Sequence, residues 1–199
     1  VWFKLRPGLR VGDFYQDAPT VNGVAFDFLE RHRASRFFLF LHYMDPHDPY
    51  FEHPYTGKAI ARVANPHPSP ALAAEMQQLY TGEVEYLDQH FAELIAKLRA
   101  LGLYDDSLIV LTADHGEEFH EHGGFWHGLT LYDEQIHVPL ILKAPDAPRG
   151  VVVEQVVSTV DLYPTLLDHL GLEPPQPVSG TPLRILLEGR AQPGRVVYA

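Results

Sequence analysis

The sequence predicts an α/β protein with a mostly parallel sheet flanked by helices. Two apolar runs, Phe37 to Tyr43 and Ser107 to Ala113, are each short enough for a strand buried on both faces. A long stretch of helical periodicity separates them, and strand–helix–strand alternation places successive strands side by side and parallel. The third observation is what each run empties into. One ends in Asp45-Pro46-His47 and the other in Asp114-His115-Gly116. Ligands of open α/β sheets bind just beyond the carboxyl ends of strands.

Taken in order, residues 1 to 19 read as loop, punctuated by Pro7-Gly8, Gly12-Asp13 and Pro19. Thr20 is placed to cap a helix running to about Arg33, with Val21, Val24, Phe28 and Leu29 on one side. After the run 37–43, two prolines in Met44-Asp45-Pro46-His47-Asp48-Pro49-Tyr50 forbid regular structure. Phe51 to Pro70 is proline-rich and reads as a surface loop. Ser69 caps a long helix from Pro70 to about Leu101, ended by Gly102. Its expected buried stripe is Leu79, Val84, Leu87, Phe91, Leu94, Ile95 and Leu98. Asp105-Asp106 turns the chain into the strand 107–113. A histidine-rich loop follows, then one helical turn over Thr130–Gln135 and a strand over Val138–Leu142, where Pro139 suits the first residues or an edge. Val151–Val160 offers one or two further strands. Asp161 caps Leu162–Leu170, stopped by Gly171, and Pro174–Pro182 is loop again.

The chain starts Val1-Trp2-Phe3 and stops at Arg195-Val-Val-Tyr-Ala199, which reads as the opening of a strand. Neither end has a polar taper, so the expectation is a piece of a larger domain. With 46% hydrophobic and 21% charged residues the composition is that of a globular protein. A formal net charge of −11 argues against a nucleic-acid partner, since phosphate binding needs a basic face. An anionic substrate then calls for local positive charge, of which a metal ion is one source. There is no cysteine, hence no disulfide, no thiolate metal site and no cysteine nucleophile. No apolar run is long enough to cross a bilayer.

Asp114 and His115 carry the strongest chemical signal. A hard oxygen and an imidazole at a strand end look like half of a metal site. The competing reading is a helix N-cap followed by a solvated histidine. Four of the twelve histidines lie between positions 115 and 127. His120, His122 and His127 could form a zinc site, although their spacing matches no ligand pattern with a mechanism behind it. His127, in Phe125-Trp126-His127-Gly128, could be held beside a bound anion, or be a half-buried histidine bonded to backbone. His47 is presented by a stiff proline loop directly after a strand, which suits a substrate-facing acid or base. His42 reads as a core group, Asp88 as a structural hydrogen-bonding residue on the long helix, and Glu117, Glu118 and Glu121 as a solvated turn.

Together these segments resemble the sulfatase family of the alkaline-phosphatase superfamily. The resemblance rests on Tyr43-Met-Asp-Pro-His47-Asp-Pro-Tyr50, the long helix with Tyr80 and Asp88, the strand into Asp114-His115-Gly116-Glu117, His127-Gly-Leu-Thr-Leu-Tyr-Asp-Glu134 and His137-Val-Pro-Leu-Ile-Leu142, in that order. It covers the chain from about residue 20 onward and implies an alkaline-phosphatase-like α/β fold. It implies hydrolysis of sulfate esters by a formylglycine made from cysteine or serine, beside a bound divalent cation. Asp114 and His115 match the family's later metal-binding pair. His47 resembles the histidine that contacts the ester and protonates the departing alcohol. His127 occupies a position often filled by a sulfate-binding lysine. The substrate implied is a sulfated small molecule or glycan.

The departures from the family are specific. No Cys or Ser stands before x-Pro-x-Arg, and the family's paired N-terminal aspartates are missing. Both lie upstream in the family, so residues 1–199 are expected to be the later part of a catalytic domain, inactive alone. Calcium is the family's usual ion. His115, where many members carry an amide, brings manganese and zinc into consideration. The same substitution marks members that hydrolyse phosphodiesters or phosphonate monoesters, which is the alternative activity. A non-catalytic sulfatase-like module is the third reading. A periplasmic or extracellular address is what the resemblance favours.

Overall fold

The computed structural model describes residues 16–145, 147–190, 194, 196 and 197. The loop expected over residues 1–19 lies outside them up to residue 15, and so does most of the strand expected at 195–199. The chain divides into two compact units. One holds residues up to 105 together with 117–127, and the other holds 106–116 and the chain from 128 onward.

In the first unit, α1 spans Ala18–His32. Its cap is Asp17 rather than Thr20: the Asp17 carboxylate accepts from the Thr20 N–H at 3.1 Å, and Pro19 occupies the first turn, where its missing N–H costs nothing. Arg31 and His32 close the helix where its dipole favours cations. The buried face is Ala18, Asn22, Ala25 and Leu29, a clean i, i+4, i+7, i+11 stripe. Val24, expected inside, is exposed. Asn22 turns the stripe: its amide donates to the His90 carbonyl at 2.7 Å and accepts from the Tyr43 hydroxyl at 2.7 Å. A polar residue therefore joins α1 to the long helix where an apolar one was expected.

The run 37–43 forms no ladder with any described strand. Its side chains alternate, with Phe38, Phe40 and His42 exposed and Phe37, Leu39, Leu41 and Tyr43 half-buried. Among the described residues one face of this run is covered, and the other, on which His42 stands, is open.

A hairpin-like pair follows, β1 (Tyr50–Phe51) antiparallel to β2 (Ala59–Ile60), inside the segment expected to be irregular. Ser69 accepts from the Ala71 N–H and starts a 3₁₀ turn over Pro70–Leu72, which leads into α2, Ala73–Ala100. The buried stripe of α2 is Met76, Leu79, Glu83, Leu94 and Leu98, while Val84 faces solvent. β4 (Glu118–Phe119) and β5 (Phe125–Trp126) pair antiparallel and complete the unit. Tyr50, Ile60, Met76, Leu79, Phe119 and Trp126 form its core. At about 1.5–3 kcal/mol for each fully buried large apolar side chain, this cluster holds the loop residues around Tyr50 against α2.

In the second unit, β3 (Ile109–Thr112) pairs antiparallel with β6 (Leu140–Lys143), Ile109 opposite Lys143 and Thr112 opposite Leu140. Pro139 sits just before β6, where no ladder N–H is needed. α3 is a single turn, Asp133–Ile136. Residues 151–157 form no strand. A capping box between Ser158 and Asp161 opens a 3₁₀ turn, Thr159–Asp161, followed by α4, Leu162–His169. Asp161 stands at the N-cap of α4 as expected, but its carboxylate makes no cap bond to that helix. It accepts instead from the Ser158 N–H and the Thr181 N–H, at 2.7 and 2.8 Å, binding the loop 174–182 down. α5, Arg184–Leu187, ends the described elements.

The α/β class holds. The ladders that the described residues form are all antiparallel, where strand–helix alternation predicted parallel neighbours. Between β3 and β6 the chain runs through the β4–β5 pair and the one-turn α3, with no crossover helix of the kind that returns a strand parallel to its neighbour. Among the described residues no helix is long and apolar enough to cross a membrane.

Candidate functional site

The first unit brings two of the expected residues together. His47 leaves the extended segment on a loop pinned from within. Two residues before it, Asp45 is buried and accepts from the Ala18 N–H at 2.9 Å, so the start of α1 holds the loop. The second Asp45 oxygen is buried without a partner, and burial raises this carboxyl above its ordinary value. Burial and the nearby Asp45 push the Tyr43 phenol up to about 12. At His47 itself, Nδ1 lies 2.8 Å from the Asp48 carbonyl. A carbonyl can only accept, so Nδ1 carries the hydrogen and Nε2 is the nitrogen that exchanges a proton.

His127 follows β5 directly. Trp126, 2% exposed, has a left-handed backbone at φ 72°, a conformation that costs a bulky residue of order 1–3 kcal/mol. The indole stacks on Tyr50 at 5.7 Å, inside the core that holds this conformation in place. The kink turns His127 so that its ring stands 5.5 Å from the ring of His47. Its Nδ1 lies 3.1 and 3.2 Å from the two oxygens of Glu117. Glu117 is itself buried and accepts from the Tyr50 hydroxyl at 2.6 Å. Burial, with Glu117 second, raises the Tyr50 phenol far above its usual range, so it remains a donor at any working pH.

Glu117 and Tyr50 were not singled out in the sequence. Glu117 reads there as one acid in a mixed polar run, and Tyr50 as a loop aromatic. The available signal was the pairing of a carboxylate five residues past the end of β3 with an aromatic at the end of a proline loop. No periodicity links positions so far apart.

The second unit presents Asp114 and His115 immediately after β3. The His115 N–H donates to the Asp114 carboxylate at 3.1 Å, and the His115 Nδ1–H donates to the Gly116 carbonyl at 2.8 Å. That tautomer presents Nε2 as the lone-pair nitrogen, 3.8 Å from Asp114 Oδ1. One carboxylate oxygen and one oriented imidazole nitrogen at that separation fit two positions of a divalent ion's shell. Gly116 fixes the turn, because its N–H donates to the Gln135 carbonyl at 2.7 Å and a Cβ would stand 2.1 Å from the Glu134 carbonyl oxygen. Gln135, 3% exposed, accepts from the Gly128 N–H and donates to the Thr130 hydroxyl, ordering the stretch after His127.

The trio His120, His122 and His127 does not converge. His120, at φ 80°, stacks on Phe125, His122 is exposed, and His127 faces Glu117. Among the described residues no group of three histidines has its ring nitrogens within 4.8 Å of one another. Among the described residues those three histidines therefore share no common site.

A family model described as Sulfatase matches residues 7–172. Arylsulfatase K of Bos taurus is 41% identical over 93 residues, which are 47% of this chain and 17% of that protein. Phosphonate monoester hydrolase from Silicibacter pomeroyi superposes with a TM-score of 0.72 at 31% identity, covering 91% of this chain and 44% of that one. A protein solved in complex with its substrate D-glucosamine-2-N,6-O-disulfate matches with a TM-score of 0.50 at 30% identity, over 59% of this chain and 24% of its own. The chain thus spans less than a fifth of the curated relative and under half of either solved structure.

Proposed function

From the premise that this chain belongs to the sulfatase family, we propose that the protein hydrolyses sulfate esters and that His47 and His127 act on the ester. The observation that carries the reading is the 5.5 Å approach of those two imidazoles, each with its Nδ1 engaged by an acceptor. Both rings are thereby oriented with Nε2 as the working nitrogen. Protonation of the departing oxygen by His47 Nε2 makes an alcohol a workable leaving group, a contribution typically worth about 10²–10⁴-fold. His127, charged when protonated and braced by Glu117, holds a sulfuryl oxygen and stabilises the charge that grows there.

Asp114 and His115 are the residues that would hold a divalent cation. The donor set of one hard oxygen and one imidazole is compatible with calcium, manganese or zinc, and the family's habit makes calcium the expected ion. Such an ion supplies Lewis-acid stabilisation of an anionic ester, needed in a protein of net charge −11.

The substrate class is a sulfated small molecule or glycan, as arylsulfatase K and the disulfated glucosamine complex suggest by kinship. Phosphonate monoester hydrolysis is the second reading. The structural likeness to a phosphonate monoester hydrolase over 91% of the chain favours it. Parallel assay of the full-length protein on an aryl sulfate and an aryl phosphonate monoester separates the two. Turnover at least tenfold faster on the sulfate supports the first, and the reverse ratio replaces it with the second.

A further inference from the structure

The reading above assigns work to two histidines and leaves open what holds the second in place. His127 follows a residue in a strained left-handed conformation, and the loop beyond begins with Gly128, also left-handed at φ 83°. The backbone kink sends the side chain toward His47, but the rotation of the ring, and with it the nitrogen presented, is left to side-chain contacts. What does contact it is a carboxylate. Glu117 is 8% exposed, lies two residues past His115 in sequence, and approaches His127 Nδ1 with both oxygens. Tyr50, completely buried, donates to only one of those oxygens, Oε2. The phenol cannot swing away, because it is packed against Trp126, Phe119 and Tyr80 at ring separations of 5.7, 5.8 and 5.7 Å.

We infer that Glu117, locked by the Tyr50 hydroxyl, is the positioning residue that sets the tautomer and aim of His127. The inference rests on the proposed role of His127 and deepens it. A carboxylate has no hydrogen to give, so a neutral His127 beside it keeps its hydrogen on Nδ1 and presents the Nε2 lone pair. A protonated His127 donates through Nδ1 and presents Nε2–H along the same line. The Nε2 vector is the same in both states, so the ring serves an anionic ligand without rotating. The Tyr50 donor makes this arrangement directional. It claims Oε2, and any amide placed at position 117 must put its oxygen there and its NH₂ toward His127.

That asymmetry supplies the test. In Glu117→Gln the amide NH₂ facing Nδ1 favours the opposite tautomer, with hydrogen on Nε2. Tyr50→Phe leaves the carboxylate and removes only its lock. The full-length protein, labelled with ¹⁵N-histidine, reports the His127 tautomer directly at a pH where the ring is neutral, with His127→Ala identifying the resonance. The expected result is a dominant Nδ1–H form in the wild-type protein and a shift toward Nε2–H in Glu117→Gln. Turnover of an aryl sulfate should fall about 10- to 100-fold in kcat for Glu117→Gln, as for carboxylates that orient other working histidines, and less for Tyr50→Phe. KM should change less than kcat. Glu117→Asp, which restores an acceptor, should recover part of the loss. An unchanged tautomer in Glu117→Gln overturns the inference even if activity drops. Loss of activity in His127→Ala with none in Glu117→Gln also overturns it, while leaving the role of His127 standing. No loss in His127→Ala overturns the functional reading itself. Should Glu117→Gln fail to fold, Tyr50→Phe decides by turnover, since its carboxylate keeps the Nδ1–H tautomer in either case: a wild-type kcat there contradicts the lock.

Discussion

The ring of His47 stands 5.5 Å from that of His127, although eighty positions of sequence separate them. One arrives on a proline loop after the extended segment 37–43, the other on the kink that follows β5. Both are fixed by the same small core, since Tyr50 closes the loop of the first and stacks on the tryptophan that precedes the second. His127→Ala should therefore cut kcat for an aryl sulfate by about 10²–10³-fold, the cost of losing one donor aimed at developing charge. Its folding transition should move little. Near wild-type turnover would remove His127 from the site.

Gly116 makes a second, purely steric prediction. A methyl group on its α-carbon would meet the Glu134 carbonyl oxygen at 2.1 Å and the carbonyl carbon at 3.0 Å, both of them backbone. The turn cannot yield without loosening the 2.7 Å bond from Gly116 N–H to Gln135. Gly116→Ala should destabilise by about 1–3 kcal/mol, visible as a lower urea midpoint at unchanged slope. It should also weaken divalent-ion binding, because the turn carries Asp114 and His115. A wild-type midpoint would show that the turn is not packed as described.

Metal binding itself is read by calorimetry on the full-length protein with calcium and with manganese. Asp114→Ala should weaken affinity at least tenfold, as should His115→Ala, whereas His67→Ala, at an exposed histidine of the other unit, should leave it unchanged. Equal affinity in all three variants would sink the assignment of these two residues as ligands.

Glu83 predicts a pH effect on stability. Its carboxyl is 1% exposed and accepts from the Phe51 N–H at 2.6 Å and from His53 Nε2 at 2.8 Å. Burial outweighs both partners and raises its pKa above 4.5. The folded chain therefore binds more protons than the unfolded one just above that value, and stability falls as pH rises through this window. Asp45, raised by burial against the lowering effect of the Ala18 N–H, adds to the same slope. Glu83→Gln keeps an acceptor for Phe51 and removes the buried charge. Urea midpoints from pH 4.5 to 6.5 should decline less steeply in Glu83→Gln than in the wild-type protein. Identical slopes would contradict the raised value.

The elements that the sequence makes legible are those set by local chemistry. α2 could be read from Ser69, Pro70 and the closing Gly102, and α4 from Gly171, because caps and stops act within one turn. His47 and the pair Asp114–His115 were legible for a similar reason, since a polar residue at the end of an apolar run is a local anomaly. What stayed hidden depends on tertiary partners. The run 37–43 has the composition of a doubly buried strand, yet exposure is decided by what packs on it, and Phe38 and Phe40 are open. The buried stripes of α1 and α2 each rotated toward a polar residue, Asn22 and Glu83, whose burial is stabilised by hydrogen bonds to the loop and helix opposite. Asp161 stands at a helix cap, but its carboxylate serves a loop twenty residues later. Glu117 needed Tyr50, sixty-seven residues away, to become more than a surface acid.

The role of His47 is open to the most direct measurement. For the full-length protein, kcat/KM is measured on a series of sulfate esters whose leaving groups range from acidic phenols to simple alcohols, in the wild type and in His47→Ala. If His47 protonates the departing oxygen, the variant loses little on the most acidic phenol and about 10²–10⁴-fold on an alkyl ester, so its dependence on leaving-group pKa becomes steeper. Two parallel lines, with the same loss on every ester, would contradict the account.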